Sequence, residues 1–247
     1  MADRVLQLDA STFVGRGLHR ECHRHPDDPR LCVKVDIGDD PHDSRRERRF
    51  YRHLERRGIA WDVVPRSFGP VQTNLGPGWS FELIQDAPGV VARTLQHYLD
   101  DLEASERYCR QLCQGLQALR QAMLRDGILT LALRPKNVVC RRVGDDTVRL
   151  FIVDSIGNTD FIPICSYSRW FARRKAARKW ERFEQSLLIR YPHNPFLARI
   201  LGRLPLDTSL PVAGTAPSAP AVAESLDGPC RAVTPSSRAS RPPGAGG

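Results

Sequence analysis

Two apolar runs, 127-GILTLALRPKNVVC-140 and 148-VRLFIVDSIG-157, are separated by a short polar turn. The first reads as strand, tight loop, strand; the second reads as a strand that ends in an acid. Together they predict a small hairpin whose strand ends carry Asn137 and Asp154. A neutral oxygen ligand and a carboxylate at adjacent strand ends suit an oxygen-loving cation such as magnesium. Taken singly, both residue types also serve as turn residues that bond their own backbone.

The rest of the chain supplies a sheet and several helices. The runs RVLQLDASTFV, RECHRHP and RLCVKVD, within 4 to 36, read as three strands, with the turn 25-HPDDPR-30 joining the last two. A helix over 43–58 follows, with Asp43 or Ser44 as its cap and Gly58 as its stop. Strands are expected at 67–73 and 79–85, joined by 74-NLGPG-78, and 86-DAPG-89 breaks the chain. Beyond it comes a long helix over about 104–125, with Leu112, Leu116, Leu119 and Met123 at helical spacing, then the hairpin, then a basic helix over 168–190. This order predicts an α+β protein. Residues 1–88 form a small antiparallel-sheet lobe with one helix, and 89–204 form a reduced helical lobe. The segment 205–247 is rich in Pro, Ala, Ser and Gly, lacks aromatics and reads as a disordered tail.

Charge narrows the partners. The net charge is +9, and the tail's three acids balance its three arginines, so the excess lies in the body. An acidic protein surface, a nucleotide, a nucleic acid or an anionic membrane face all fit that balance. No apolar run reaches membrane-spanning length, and MADRVLQLDASTF lacks the apolar region of a signal peptide, so the chain reads as cytoplasmic. The seven cysteines are scattered, which agrees. Cys109 and Cys113, one helical turn apart, read as core thiols. His19, Cys22, His23 and His25 cluster, but no second ligand pair with zinc spacing follows.

Lys34 lies in an apolar strand, where a lysine either snorkels at an edge or pairs with a buried anion. Glu47 shares a helix face with Phe50 and Leu54 and needs a cation. The two are natural partners, although an arginine on the same helix would also serve Glu47.

Taken in order, these residues resemble the protein-kinase-like fold. The resemblance implies that Lys34 pairs with Glu47 and grips nucleotide phosphates, while Asn137 and Asp154 hold the metal. DSIG stands where that fold carries Asp-Phe-Gly. In 14-VGRGLHR-20, Gly15 and Gly17 match a glycine-rich lid, and Arg20 occupies the third glycine position. Backbone groups of Ile84, Gln85 and Asp86 match the segment that holds adenine. More specifically, GRGLHRECHRHPDDPRLCVKV, RRERRFYRHL, LRPKNVVC, VDSIGNTDFIPICSYSRW and RKWERF resemble the YrbL family, described as PhoP regulatory network proteins. That resemblance spans roughly residues 5 to 190 and implies a regulatory context in bacteria.

The departures are as informative. Aligning LRPKN with H-R-D-L-K-P-x-N places Ala132 at the catalytic aspartate and Thr130 at the histidine. A methyl group neither accepts a proton nor orients a hydroxyl. Arg134 matches the loop lysine and is the remaining candidate to neutralise a transferring phosphate. Only about fifty residues separate Asp154 from the tail and no Ala-Pro-Glu occurs, so the peptide-substrate platform is expected to be missing. In its place, Trp170, Phe171, Trp180, Phe183 and Leu187 are expected to form one apolar stripe with cations opposite. That helix either packs and leaves its cations in water or docks an acidic protein or anionic surface. No aromatic-interleaved nucleic-acid motif accompanies it, which ranks nucleic acid lowest. The expected function is a regulatory protein that binds ATP and Mg2+ but is impaired in phosphotransfer, as a pseudokinase is. The alternatives are an atypical kinase acting on a small molecule or itself, and a nucleotide-free module working through the basic helix.

Overall fold

The computed structural model describes residues 4–17, 19–37, 42–87, 89–144, 146–157 and 169–206. The side chains of His42, Asp43 and Arg169 are also outside the description. The Pro-rich tail from 207 onward and the stretch 158–168 lie outside the described residues, and only the unit that ends near Ser209 is discussed.

The chain is mixed α+β. Six strands form one sheet: β1 (Val5–Leu6), β2 (Phe13–Arg16), β3 (Arg20–Arg24), β4 (Leu31–Asp36), β5 (Ser67–Thr73) and β6 (Gly76–Glu82). Their spatial order is β1-β5-β6-β4-β3-β2. All neighbours run antiparallel except β1 and β5, which pair in parallel. The expected first strand is therefore two. Asp9 breaks it, because its carboxylate accepts from the Ser11 and Thr12 amides at 2.8 and 3.2 Å and closes a tight turn. β6 starts three residues earlier than expected. The chain reverses in two residues, Asn74 and Leu75, and Gly76 takes the left-handed φ of 111° that the turn requires.

Alternation along β4 decides which side chains meet. Val33 and Val35 point into a cluster with Leu6, Leu8 and Val71. Cys32, Lys34 and Asp36 point to the other face. There α1 (His42–Arg56) covers the sheet, with Tyr51 5.2 Å from Phe81 and Arg48 5.2 Å above Trp79. Gly58, at φ 60°, ends the helix run as expected. Ser44 is not the N-cap. It lies inside α1, and its hydroxyl donates to the Asp36 carboxylate.

After the small hairpin of β7 (Gln85–Ala87) and β8 (Val90–Val91), a three-stranded sheet is ordered β11-β10-β9. It comprises β9 (Arg93–Thr94), β10 (Val138–Val143) and β11 (Thr147–Ile152). Residues 127–130 do not form the expected strand. They contribute one bridge, Thr130 to Ile156, since Gly127 at φ 60° is still capping the preceding helix.

Helices α2 (Leu95–Asp100), α3 (Leu102–Arg107) and α4 (Cys109–Asp126) follow β9. The long helix expected over 104–125 is interrupted at Tyr108, whose ring stands edge-on to Tyr98 at 5.4 Å. Leu112, Leu116, Leu119 and Met123 are all buried, as their spacing predicts. Cys113 is buried and Cys109 partly so, and burial raises both thiols above their usual range. α4 crosses β11 so closely at Gly115 that a Cβ there would lie 2.5 Å from Leu150 Cδ1 and 2.7 Å from the Val148 carbonyl oxygen. Gly→Ala inside a helix ordinarily stabilises by about 1 kcal/mol. Here Gly115→Ala is expected to destabilise by about 1–3 kcal/mol because backbone cannot yield. A fall in the urea midpoint checks this.

The basic helix is α5 (Arg169–Arg190), followed by α6 (Leu197–Ile200), and both pack on α4. Its buried stripe is Ala172, Ala176, Trp180, Phe183 and Leu187. Trp170 and Phe171 are not part of it and are 59% and 47% exposed. Phe171 precedes Trp180 by nine residues, about 180° around a helix, so the two cannot share a face.

Candidate functional site

The site lies where the sheet face carrying Lys34, helix α1 and the β10–β11 hairpin meet. Asn137 closes the 3-10 turn Pro135–Asn137 that leads into β10. Asp154 follows β11, two residues beyond its end. The Val153 amide donates to the Asn137 carbonyl at 3.0 Å, which brings Asn137 and the residue before Asp154 together at one end of the hairpin. The Asn137 amide nitrogen donates to the Ala132 carbonyl at 3.3 Å, so its oxygen is the atom left for a ligand.

Lys34 reaches the same end of the hairpin. Its ammonium donates to the Val153 carbonyl and lies 4.7 Å over the Phe81 ring. It does not pair with Glu47, contrary to the expectation. Glu47 is paired instead with Arg20, from the start of β3. The same guanidinium donates its other terminal nitrogen to Asp154, so that Arg20 bridges the two carboxylates. A planar fork can span two acids at once, whereas an ammonium presents one compact charge. Glu47 is 3% exposed, Arg20 15% and Asp154 37%.

The electrostatics follow from this arrangement. Burial works against the charge on Arg20, but Glu47 and Asp154 outweigh it and hold the guanidinium protonated more firmly than usual. Burial likewise opposes ionisation of Asp154, and Lys34 and Arg20 prevail, keeping its carboxyl below the ordinary carboxylate range. Two cations thus face two carboxylates. One buried oxygen, Oε1 of Glu47, has no hydrogen-bond partner.

Neighbouring backbone is held in an uncommon conformation. Ser155 has φ 59°, the one positive value outside glycine among the described residues. Its carbonyl accepts from the Leu131 amide at 2.6 Å and the Thr130 hydroxyl at 2.8 Å, which holds it there. Ala132 therefore sits on a loop tied to the residues after Asp154. Lys179 of α5 reaches the Leu131 carbonyl at 3.3 Å, linking the basic helix to that loop.

The other expected site residues divide. Gly17 belongs here: a Cβ on it would lie 3.9 Å from Asp154 Oδ2, and its amide donates to the Arg20 carbonyl at 2.8 Å. Gly15 faces open space. Ile84 is buried, and its carbonyl is taken by the Ala92 amide at 3.0 Å. Gln85 is engaged in the β7–β8 hairpin, where its side chain also accepts from the Gly89 amide at 3.1 Å. Asp86 anchors β7 to β10 through two 2.8 Å bonds from Arg142. Arg134 is exposed and has no side-chain partner among the described residues.

Two features go beyond the sequence expectations. Arg20 is expected only as a departure from a glycine pattern, and that departure is the available signal. The neighbouring thiols of Cys22 and Cys32 are the second. They lie diagonally across β3 and β4 on the Lys34 face. The Cys32 thiol donates to the Glu82 carbonyl at 3.8 Å, and its proximity lowers the Cys22 thiol, against burial, with Lys34 and Arg20 assisting. A shallow cavity of about 390 Å³ lined by Leu8, Asp9, Phe13, Glu21 and His23 opens elsewhere, on the opposite face of β3.

These features define an α+β protein organised around a cation-bridged pair of carboxylates. Residues 6–188 match the family described as PhoP regulatory network protein YrbL, and the chain belongs to that family. It is 34% identical over 184 residues to YrbL of Escherichia coli (strain K12), covering 72% of this chain and 86% of that one. YrbL of Shigella flexneri matches with the same values. Among the described residues, no helix is long and apolar enough to cross a membrane.

Proposed function

We propose that this member of the YrbL family is a cytoplasmic, kinase-like regulatory protein that holds ATP with magnesium and transfers phosphate poorly or not at all. The observation that carries the reading is convergence. Lys34, Glu47, Asn137 and Asp154 come from four separated parts of the chain and meet at one place. In this reading the lobes are 1–88 and 89–204, with nucleotide held between them.

The donor set fits the ligands. In this reading Lys34, whose ammonium lies beside the Val153 carbonyl, would meet a phosphate, and the Gly17 backbone borders Asp154. Asp154 and Asn137 offer the oxygens magnesium prefers, with phosphate completing its shell. Magnesium would supply charge neutralisation at the phosphates. Ala132 offers no proton acceptor on the loop, and exposed Arg134 is the residue left to meet a phosphate there.

A thermal-shift titration with ATP and Mg2+ tests the reading. The wild type is expected to rise by several degrees at saturation, and Lys34→Ala to lose most of that rise. No rise, or an equal rise in Lys34→Ala, contradicts it. Incubation with labelled ATP should leave the protein and small-molecule acceptors unlabelled.

A second reading rests on α5. Arg173, Arg174, Arg178 and Arg182 are exposed, with Trp170 and Phe171 exposed at the same helix's start. That surface fits an acidic protein or another anionic surface. Reversing those four charges should abolish such docking while leaving the ATP shift intact.

A further inference from the structure

We propose that Arg20 is a built-in competitor for the cation site, and that moving it aside opens a divalent-metal site formed by Glu47, Asp154 and Asn137. The inference deepens the nucleotide-and-metal reading of this cleft and rests on it.

Three observations lead there. The Arg20 guanidinium lies between Glu47 Oε2 and Asp154 Oδ1, the position from which a metal would have to meet both acids. Glu47 Oε1 is buried and unpartnered, so the acid has a coordinating atom that Arg20 leaves unsatisfied. Arg20 and Lys34 face Glu47 and Asp154, and Asp36, opposite Arg20 on β4, adds a third carboxylate. A dication added to that set would leave uncompensated positive charge in a largely buried place. One resident cation must therefore leave as the metal enters. Lys34 is held by the Val153 carbonyl and the Phe81 ring. Arg20 stands at the first residue of β3, beside the turn that carries Gly17, and its backbone pairing with Asp36 does not depend on where its side chain points. Arg20 is the cation that can swing away by side-chain rotation alone.

In the described arrangement Arg20 holds Glu47 and Asp154 together. When a metal with its phosphate ligand enters, Arg20 is released from Asp154 and becomes free to meet phosphate oxygens, for which its fork is suited.

The experiment uses the full chain and Mn2+ alone, followed by electron paramagnetic resonance of the free ion. The expected result is that Arg20→Ala binds Mn2+ at least about tenfold more tightly than the wild type, because a competing charge has gone. The gain should disappear in the double variant Arg20→Ala/Asp154→Asn. Arg20→Lys, whose ammonium can neutralise one acid but not bridge two, should show a smaller gain. It decides the question should the alanine variant fail to fold. Equal or weaker Mn2+ binding in the Arg20 variants than in the wild type overturns the proposal, as does a gain that survives Asp154→Asn. Since no nucleotide is present, failure of ATP to bind would contradict the proposed function without deciding this result.

Discussion

Arg20→Ala is expected to lower the free energy of unfolding by about 3 kcal/mol at pH 7, the lower end of what stripping one partner from a buried ion pair costs. Glu47 is almost fully buried and already has one oxygen without a partner, so removing its cation leaves it poorly compensated. Asp154 is 37% exposed, and water screens its share, which holds the loss near the lower end. Urea denaturation measures it as a fall in midpoint with unchanged slope. The pH dependence follows in sign. Burial raises the Asp154 carboxyl, and Lys34 and Arg20 more than reverse this, so its folded-state value is depressed. A depressed carboxyl contributes stability that is present above its unfolded value, about 3.9, and is lost as pH falls through the folded value. Without Arg20 the depression shrinks. The gap between wild type and Arg20→Ala should therefore narrow as pH is lowered below about 4.

Trp180→Ala is expected to cost about 3–5 kcal/mol, as deletion of a buried aromatic does. Trp180 is 3% exposed, sits beside Phe183 at 5.5 Å and faces α4. Phe171→Ala, nine residues earlier on the opposite side of α5, should stay within about 0.5 kcal/mol. The same urea series measures both. Equal losses would mean that α5 is rotated from the orientation described. The contrast matters for function, because α5 can offer a cationic surface only if its apolar face is spent on α4.

The sequence revealed elements more readily than their interruptions. β4, α1, β5, α4 and α5 carry periodicities long enough to read directly, and α1 ends at a glycine as its pattern requires. Asp9 broke a run that alternates well, through a side-chain turn that competes with strand pairing. Tyr108 broke a helix whose apolar spacing continues across it, because the ring is held by Tyr98 and its hydroxyl by Arg142 at 3.3 Å. Neither partner is near it in sequence.

The candidate site shows the same division. Lys34, Glu47, Asn137 and Asp154 stood out because each is a polar residue in an apolar context, and all four meet. The pairing among them was not legible. Lys34 and Glu47 share a face, but which cation reaches Glu47 depends on how β3 carries Arg20 beneath α1. That is a matter of tertiary reach rather than spacing. Asp86 is likewise expected to act through its backbone, whereas its buried side chain is an anchor for Arg142. The expected stripe on α5 fails at Trp170 and Phe171 because their helical angles fall away from the face that Trp180, Phe183 and Leu187 share.

Hydrogen–deuterium exchange with and without ATP and Mg2+ tests the central claim most directly, since it locates any ligand along the chain. Slowed exchange is predicted in β2 and β3 around Gly17 and Arg20, in the 84–87 segment, and around Asn137 and Asp154, with α5 unchanged. Exchange that is unaltered throughout, or slowed along α5 alone, would contradict a nucleotide held at the Lys34–Asp154 site.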